Sequence, residues 1–131
     1  MANEVTNTIS FTVSKNSVTI SGGTTKQSDM TGTVLVSEIF AVSSTLEALS
    51  ALVPDITTVG NIYIRNLDAS ATLLVCNTNA SSAYAICNWI RPGDQVMLSP
   101  YPSSFANMYV QFSSTHTGHA HIACFAHSAV T

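Results

Sequence analysis

Short runs of β-branched and aromatic residues, separated by turn-forming residues, recur along the chain and constrain its fold more than any other feature. In the first run, Val5, Ile9, Phe11 and Val13 take odd positions, with Thr, Ser and Asn between them. Successive side chains of a strand point to opposite faces, so this spacing predicts a half-buried strand. In all, the pattern predicts about nine strands, over residues 5–13, 18–20, 33–42, 61–65, 71–76, 83–89, 95–98, 108–112 and 121–125.

About nine short strands at fairly even spacing predict an all-β fold, a single β-sandwich of jelly-roll-like architecture over residues 1–131. This length suits one hydrophobic core. The run over 33–42 is almost continuously apolar, which predicts a central strand, and Ser21-Gly22-Gly23 is expected to close the strand before it. The first few residues are polar and predict a mobile N-terminal arm.

One segment can be interpreted in two ways. Ser44 and Glu47 have the spacing of a capping box, and residues 48–52 have a composition that favours helix. Pro54 would end that helix after two or three turns, which is marginal without packing support. A short helix and an extended connection therefore both stay open.

Two turns are the clearest local signals. Arg91-Pro92-Gly93-Asp94 places Pro and Gly where a type II turn needs a fixed φ and then a positive φ. At the end of the strand over 61–65, Asn66 and Asp68 are both residues that close Asx turns onto the backbone. Both turns predict structural roles.

Low charge limits the classes of function. Only 8% of residues are charged, and four bases face seven acids, for a net charge of −3. Four scattered bases are too few for nucleic-acid binding. No apolar run approaches the ~20 residues of a membrane span, and the start lacks the features of a secretory signal.

Hydroxyl residues are abundant, since Ser and Thr together number 34. Because hydroxyls are easier to desolvate than charges, this composition favours packing against copies of the chain or a partner.

The two turns also carry a family resemblance. Residues 60–69, Gly-Asn-Ile-Tyr-Ile-Arg-Asn-Leu-Asp-Ala, resemble a stretch in small virion proteins of tailed bacteriophages. In that family a second strand, a Pro-Gly-Asp/Glu turn and another apolar strand follow. The corresponding parts here are residues 72–75 and 90–98, with later strands at 109–112 and 122–125. The resemblance covers roughly residues 33–126.

The resemblance implies a structural virion protein, not an enzyme, with no catalytic residue or cofactor to carry over. Small, low-charge sandwiches in such particles are most similar to capsid decoration (cement) proteins, which bind the head shell, often as trimers. The implied partners are the major capsid protein and copies of the chain, with a homotrimer favoured and no nucleic acid or membrane. The implied location is the virion, after synthesis in the host cytoplasm. A neck, tail or fibre-associated component and a sugar- or receptor-binding sandwich stay open as alternatives.

Histidines near the C-terminal end raise the possibility of a metal site. His116, His119 and His121 fall within six residues, and His127 follows. Because positions two apart share a strand face, His119 and His121 can offer two imidazoles to one ion. Gly-His-x-His is also similar to the cupins, whose metal site adds a Glu a few residues later, but no carboxylate follows Asp94 here. We expect solvent-facing histidines without a metal, and a metal shared between copies stays open.

Cysteines and aromatics complete the candidates. Cys76, Cys87 and Cys124 show no Cys-x-x-Cys spacing, so we expect reduced, buried side chains, with a Cys76–Cys87 disulfide across the predicted hairpin as the alternative. Alternation places Cys124 on the face opposite to His121, away from the base that a nucleophilic cysteine needs. Five aromatics either anchor an interface or cap the core: Tyr84, Trp89, Tyr101, Phe105 and Tyr109.

Overall fold

A computed structural model describes residues 5–28, 30–53, 61–78, 84–98, 107–113, 115 and 117–127. These residues form ten strands and one helical turn. The elements are β1 (Val5–Lys15), β2 (Val18–Ser28), β3 (Met30–Val42), β4 (Glu47–Ala48), α1 (Leu49–Leu52), β5 (Asn61–Asn66), β6 (Leu73–Thr78), β7 (Tyr84–Ile90), β8 (Gln95–Leu98), β9 (Met108–Phe112) and β10 (Gly118–His127). The predicted all-β sandwich is thus confirmed, with ten strands where the sequence predicts about nine.

Eight of the strands form the sandwich. One sheet has the order β3-β10-β5-β8 and the other β4-β9-β6-β7. The antiparallel pairs β3–β10, β4–β9, β5–β8 and β6–β7 show that the second half of the body runs back along the first. The eight strands thus correspond to one long antiparallel hairpin that is folded over into two facing sheets. This strand order is that of a jelly roll.

The core lies between the two sheets and is closed by the short helix. Inner-face side chains alternate with outward ones, as in the pattern of β9, where Met108, Val110 and Phe112 are buried. The buried apolar cluster consists of Val42, Leu49, Val53, Ile62, Ile64, Ala71, Leu73, Val75, Ile90, Met108, Val110, Phe112, Ala120, Ile122 and Cys124. These positions come from both sheets and from α1, so the body has one continuous core.

Three expectations about individual elements need correction. The strand over 33–42 is not central, because β3 is the edge of its sheet, and Ile39 is 63% exposed there. Ser21-Gly22-Gly23 does not end the second strand, because β2 continues to Ser28 in register with β1. The capping box of Ser44 and Glu47 does not form, because Glu47 lies in β4 and its Oε1 accepts a hydrogen bond from the Ser43 backbone N–H at 2.8 Å. The short helix left open for this segment is the single turn α1, with Ala48 as its N-cap.

Candidate interaction surface

The first two strands form a ribbon separate from both sheets of the sandwich. β1 and β2 pair antiparallel from Val5 opposite Ser28 to Lys15 opposite Val18. Asn16 and Ser17 join them with φ of 51° and 65°. Positive φ at both central positions is the type I′ turn, whose twist matches that of the flanking strands. At about 3.4 Å per residue the ribbon is roughly 35 Å long.

One face of the ribbon is apolar along most of its length. Residues directly opposite in an antiparallel pair share a face, so the odd positions of β1 lie with the even positions of β2. This apolar face consists of Ile9, Phe11, Val13, Val18 and Ile20, each between 54% and 65% exposed. The sequence predicts the alternation correctly, but its expectation of a half-buried strand is wrong, since these side chains face solvent.

The opposite face of the ribbon is built of hydroxyls. Its side chains include Thr8 opposite Thr25, and Ser14 opposite Thr19, and both pairs are hydrogen-bonded through their Oγ atoms, at 3.1 and 2.8 Å. Uncharged, self-paired hydroxyls keep this face hydrated without fixing charges on it. The ribbon is therefore amphipathic across its thickness.

Two glycines shape the ribbon. The Phe11 ring lies over Gly22, where an added Cβ would come within 2.7 Å of the ring. The ring thereby covers a glycine on the opposite strand and extends the apolar face across both strands. A Cβ on Gly23 would lie 2.6 Å from the Ile9 carbonyl oxygen, so close pairing of the strands requires glycine there. The sequence predicts a strand end at these glycines, whereas they are needed inside the strand.

The ribbon carries most of the exposed apolar surface. Among the described residues, five of the nine large hydrophobic side chains that are exposed belong to the apolar face. The other four, Ile39, Leu67, Trp89 and Met97, lie on different segments. A two-stranded ribbon is marginally stable in water by itself, and a contiguous apolar face marks an interaction site.

At its base the ribbon borders the sandwich. Residues 8–10 of the ribbon, residues 95–97 of β8 and Tyr63 of β5 line an open groove of about 480 Å³. The Tyr63 hydroxyl donates a 2.7 Å hydrogen bond to Gln95 Oε1 within this region. The groove leaves the apolar face exposed, so the chain's own body does not cover it.

The outer face of sheet β3-β10-β5-β8 mixes polar and apolar side chains, and Ile39 and Met97 are 63% and 38% exposed there. His121 Nε2 and Ser37 Oγ are 2.9 Å apart, and the His121 ring meets the Tyr63 ring edge-on with centroids 5.4 Å apart. Arg65 lies beside His121 in register. Ile39, Leu67 and His121 line an open pocket of about 310 Å³ on this side of the body, so a second, smaller apolar patch lies here.

The histidines lie where alternation predicts, and they form no cluster of ligands in the described part. His119 is exposed and His121 half-buried, both on the outer face of β10. His116, and the side chain of His127, lie outside the described residues. Within the described ranges no three His, Cys, Asp or Glu side chains come close enough to hold a metal ion.

The two predicted turns are confirmed and form one structural junction. Gly93 has φ of 79°, and the Asp94 N–H donates to the Arg91 carbonyl at 3.0 Å, as in a type II turn. The fully buried Asn66 side chain donates to the carbonyls of Ala71 and Ile90, at 2.8 and 2.9 Å. The Asn66 Oδ1 accepts a hydrogen bond from the Asp68 backbone N–H at 2.9 Å, which forms the expected Asx turn.

A second Asx-type turn begins at Asp68. Its Oδ1 accepts from the backbone N–H groups of Ser70 and Ala71, both at 2.8 Å, and from the Ser70 hydroxyl at 3.1 Å. These contacts join the loop after β5 to the start of β6. Asn66 and Asp68, within the stretch that carries the family resemblance, thus hold this junction of the sandwich together.

The cysteines are placed for packing. Cys124 is buried in the core, opposite in direction to His121, and burial raises the pKa of its thiol to about 11. A thiol held neutral is a poor nucleophile. A bulge in the β6–β7 pair sets Cys76 opposite Ile86, so Cys87 is not its direct partner in the register. The Cys87 side chain lies outside what the structure describes.

Of the two singled-out aromatics whose side chains the structure describes, Trp89 is the more exposed. It lies on β7, the edge of its sheet, and is 65% exposed, while Tyr109 on β9 is half-buried. Tyr101, Phe105 and the side chain of Tyr84 lie outside the described residues. Trp89 is therefore an isolated contact point on the body, separate from the apolar face of the ribbon.

Comparison with known proteins identifies no relative. No family model, no curated protein and no solved structure matches this chain. In the part of the chain that the structure describes, no helix is long and apolar enough to cross a membrane.

Proposed function

We propose that this chain is a structural virion protein, most specifically a capsid decoration (cement) protein that binds and stabilises a phage head shell. The observation that carries the proposal is the amphipathic ribbon, whose apolar face stands exposed on a jelly-roll body. A protein with such a face works by being covered in an assembly. The resemblance of residues 60–69 to small virion proteins indicates which kind of assembly.

The composition supports a function through many weak contacts. With a net charge of −3 and 34 hydroxyl residues, the surface can be desolvated at low cost when copies pack on a lattice. A shell offers many equivalent sites, so modest contacts of each oligomer are multiplied by avidity. Ligands that bind only the assembled state stabilise it by mass action, which is how a decoration protein would protect a shell.

The proposed partners follow from that mechanism. The ribbon and the body would contact copies of this chain, with a trimer favoured, and the major capsid protein. No side chain is assigned a catalytic role, and Cys124, the buried thiol near the histidines in sequence, is held neutral. The mechanism uses no cofactor, nucleic acid or membrane, and the proposed location is the virion.

One observation favours a second candidate. Trp89 presents an exposed indole on the edge strand β7, the kind of flat apolar platform on which a sugar ring can stack. A sugar- or receptor-binding sandwich, in a tail or fibre part of the particle, would use it. A glycan screen with the wild type and Trp89→Ala distinguishes the two candidates. Glycan binding by the wild type that the substitution abolishes would favour the sugar-binding function.

A reconstitution experiment tests the decoration function. Head shells are purified from a phage that lacks this chain, mixed with the purified protein, and sedimented. We expect saturable binding at a fixed ratio to the shell subunit and a higher temperature of shell disruption. Shells that already carry the protein are the matched control and should take up little more. No sedimentation with bare shells at tens of micromolar protein would contradict the proposal.

A further inference from the structure

We propose that the apolar face of the ribbon is the self-association site of this chain, and that it is covered by the same face of other copies around a threefold axis. The inference deepens the proposed function, since it names the partner at the surface on which that function rests. It concerns the isolated protein, whereas the decoration function is tested on shells, so either can fail alone.

The shape of the face suits stacking on another sheet. Val13 and Ile20 form a cross-strand pair at its centre, and the Phe11 ring fills the space above Gly22. The result is an apolar layer that spans both strands. Layers of this kind pack face to face about 10 Å apart, as the two halves of a β-sandwich do.

The rest of the chain offers only smaller apolar patches among the described residues. Of the exposed large apolar side chains outside the ribbon, Ile39 and Leu67 line one pocket, and Met97 lines the groove beside Ile9. A contiguous apolar face is complemented best by another contiguous apolar face. Among the described residues, the ribbon of a second copy provides the largest such face, with five exposed apolar side chains.

Charge restricts the contact to the middle of the apolar face. Residues 5–28 contain no carboxylate, and their two bases take positions on the same face as the apolar side chains, Lys15 opposite Val18 at the tip and Lys26 opposite Asn7 near the base. Between these ends the apolar face is uncharged. An identical face meets no like charge along these central levels, and the like charges of aligned copies are confined to the lysines at the two ends.

The area of the face indicates more than two copies. Five side chains that are 54–65% exposed offer roughly 300–500 Å² of apolar surface in each copy. Two stacked ribbons would bury roughly 600–1,000 Å², at or below the ~1,000 Å² of a specific interface. Three ribbons around one axis would bury roughly 900–1,500 Å² in a single core, which reaches the range of stable interfaces.

Mass measurement on the isolated full chain tests the inference. We expect size-exclusion chromatography with light scattering to give three times the 13.8 kDa of one chain. Replacing the central pair, Val13→Thr with Ile20→Thr, keeps β-branched side chains but removes apolar contacts from every copy. It should raise the dissociation constant on the order of a hundredfold and yield monomer at micromolar concentration.

A matched control uses the neighbouring pair on the hydroxyl face. Thr12→Ser with Ser21→Thr changes the adjacent cross-strand pair and preserves its composition, so the trimer should persist. Far-UV circular dichroism verifies that both double variants keep the sandwich, since all four substituted side chains are exposed. If Val13→Thr with Ile20→Thr misfolds, Phe11→Ser serves as the second variant, with the same expected dissociation.

Three results would overturn the inference. The first is a wild-type monomer up to hundreds of micromolar, and the second is an oligomer that the Val13→Thr with Ile20→Thr variant leaves intact. The third is a monomer that binds vesicles of phosphatidylcholine and phosphatidylglycerol through Phe11, because the occupant of the face would then be lipid. Amide hydrogen exchange supports the inference if β1 and β2 are protected in the wild type and exchange faster in the variant.

Discussion

Replacing Asn66 with alanine should destabilise the sandwich more than any other single polar substitution in its described core. Asn66 is fully buried, and its side chain donates to the Ala71 and Ile90 carbonyls and accepts from the Asp68 N–H. These three bonds connect the end of β5 to the loop before β6 and to the end of β7. Alanine removes the hydrogen bonds of the Ala71 and Ile90 carbonyls and of the Asp68 N–H to this side chain.

The magnitude follows from those bonds. Each contributes about 1 kcal/mol net, and a buried group left unsatisfied costs about 1–3 kcal/mol. Water reaching part of the vacated space limits the total, so we expect Asn66→Ala to lower the free energy of unfolding by about 3–5 kcal/mol. A domain of this size is stable by about 5–15 kcal/mol. The midpoint of thermal unfolding should fall by roughly 10–20 °C.

Urea unfolding followed by far-UV circular dichroism is the appropriate assay. The single tryptophan, Trp89, is already 65% exposed in the folded protein, so its fluorescence changes too little on unfolding. Wild type and variant are compared at equal protomer concentration, because self-association adds apparent stability. Asn66→Asp is the isosteric control: it keeps an acceptor for Asp68 but loses both donors, and should also be destabilised. A loss below 1 kcal/mol for Asn66→Ala would refute the reasoning.

Three further substitutions test other parts of the structure. Ser17→Gly should stabilise the ribbon by about 1 kcal/mol, because Ser17 has φ of 65°; unchanged hydrogen exchange of β1 and β2 would contradict this. Gly118→Ala should lower stability by about 2 kcal/mol, because the new Cβ would lie 2.7 Å from the Phe112 ring; an unaltered urea midpoint would contradict it. Burial raises the pKa of Cys124 from 9.0 to about 11, so the unfolded chain loses that proton first. Stability should be complete below pH 9 and fall by up to about 2 kcal/mol between pH 9 and 11, a loss that Cys124→Ala should remove.

Most of the fold could be predicted from the sequence because its signals are local. Alternation identified strands such as β8 and β9 at their observed bounds, and Pro92 with Gly93 specified the type II turn that leads into β8. The position of β3 could not be predicted in this way. Its apolar run indicates burial, but whether a strand lies at the edge or the centre depends on the order in which distant strands pair.

The ribbon shows what alternation does and does not reveal. The odd positions of β1 predict one apolar face, and Asn16-Ser17 between two alternating runs is a hairpin signal missing from the predicted strand pattern. Neither signal indicates what covers that face. Burial within one chain and burial between chains require the same residue pattern, so Ile9, Phe11 and Val13 could be assigned to a core that the structure places elsewhere.

The number of copies of this chain in a purified particle tests the central claim most directly. Quantitative mass spectrometry gives this number relative to the major shell protein. The account predicts one copy for each shell subunit, or a fixed simple fraction such as one trimer at each threefold position. About a dozen copies in each particle would instead indicate a neck or tail component. Complete absence from particles would contradict a virion role.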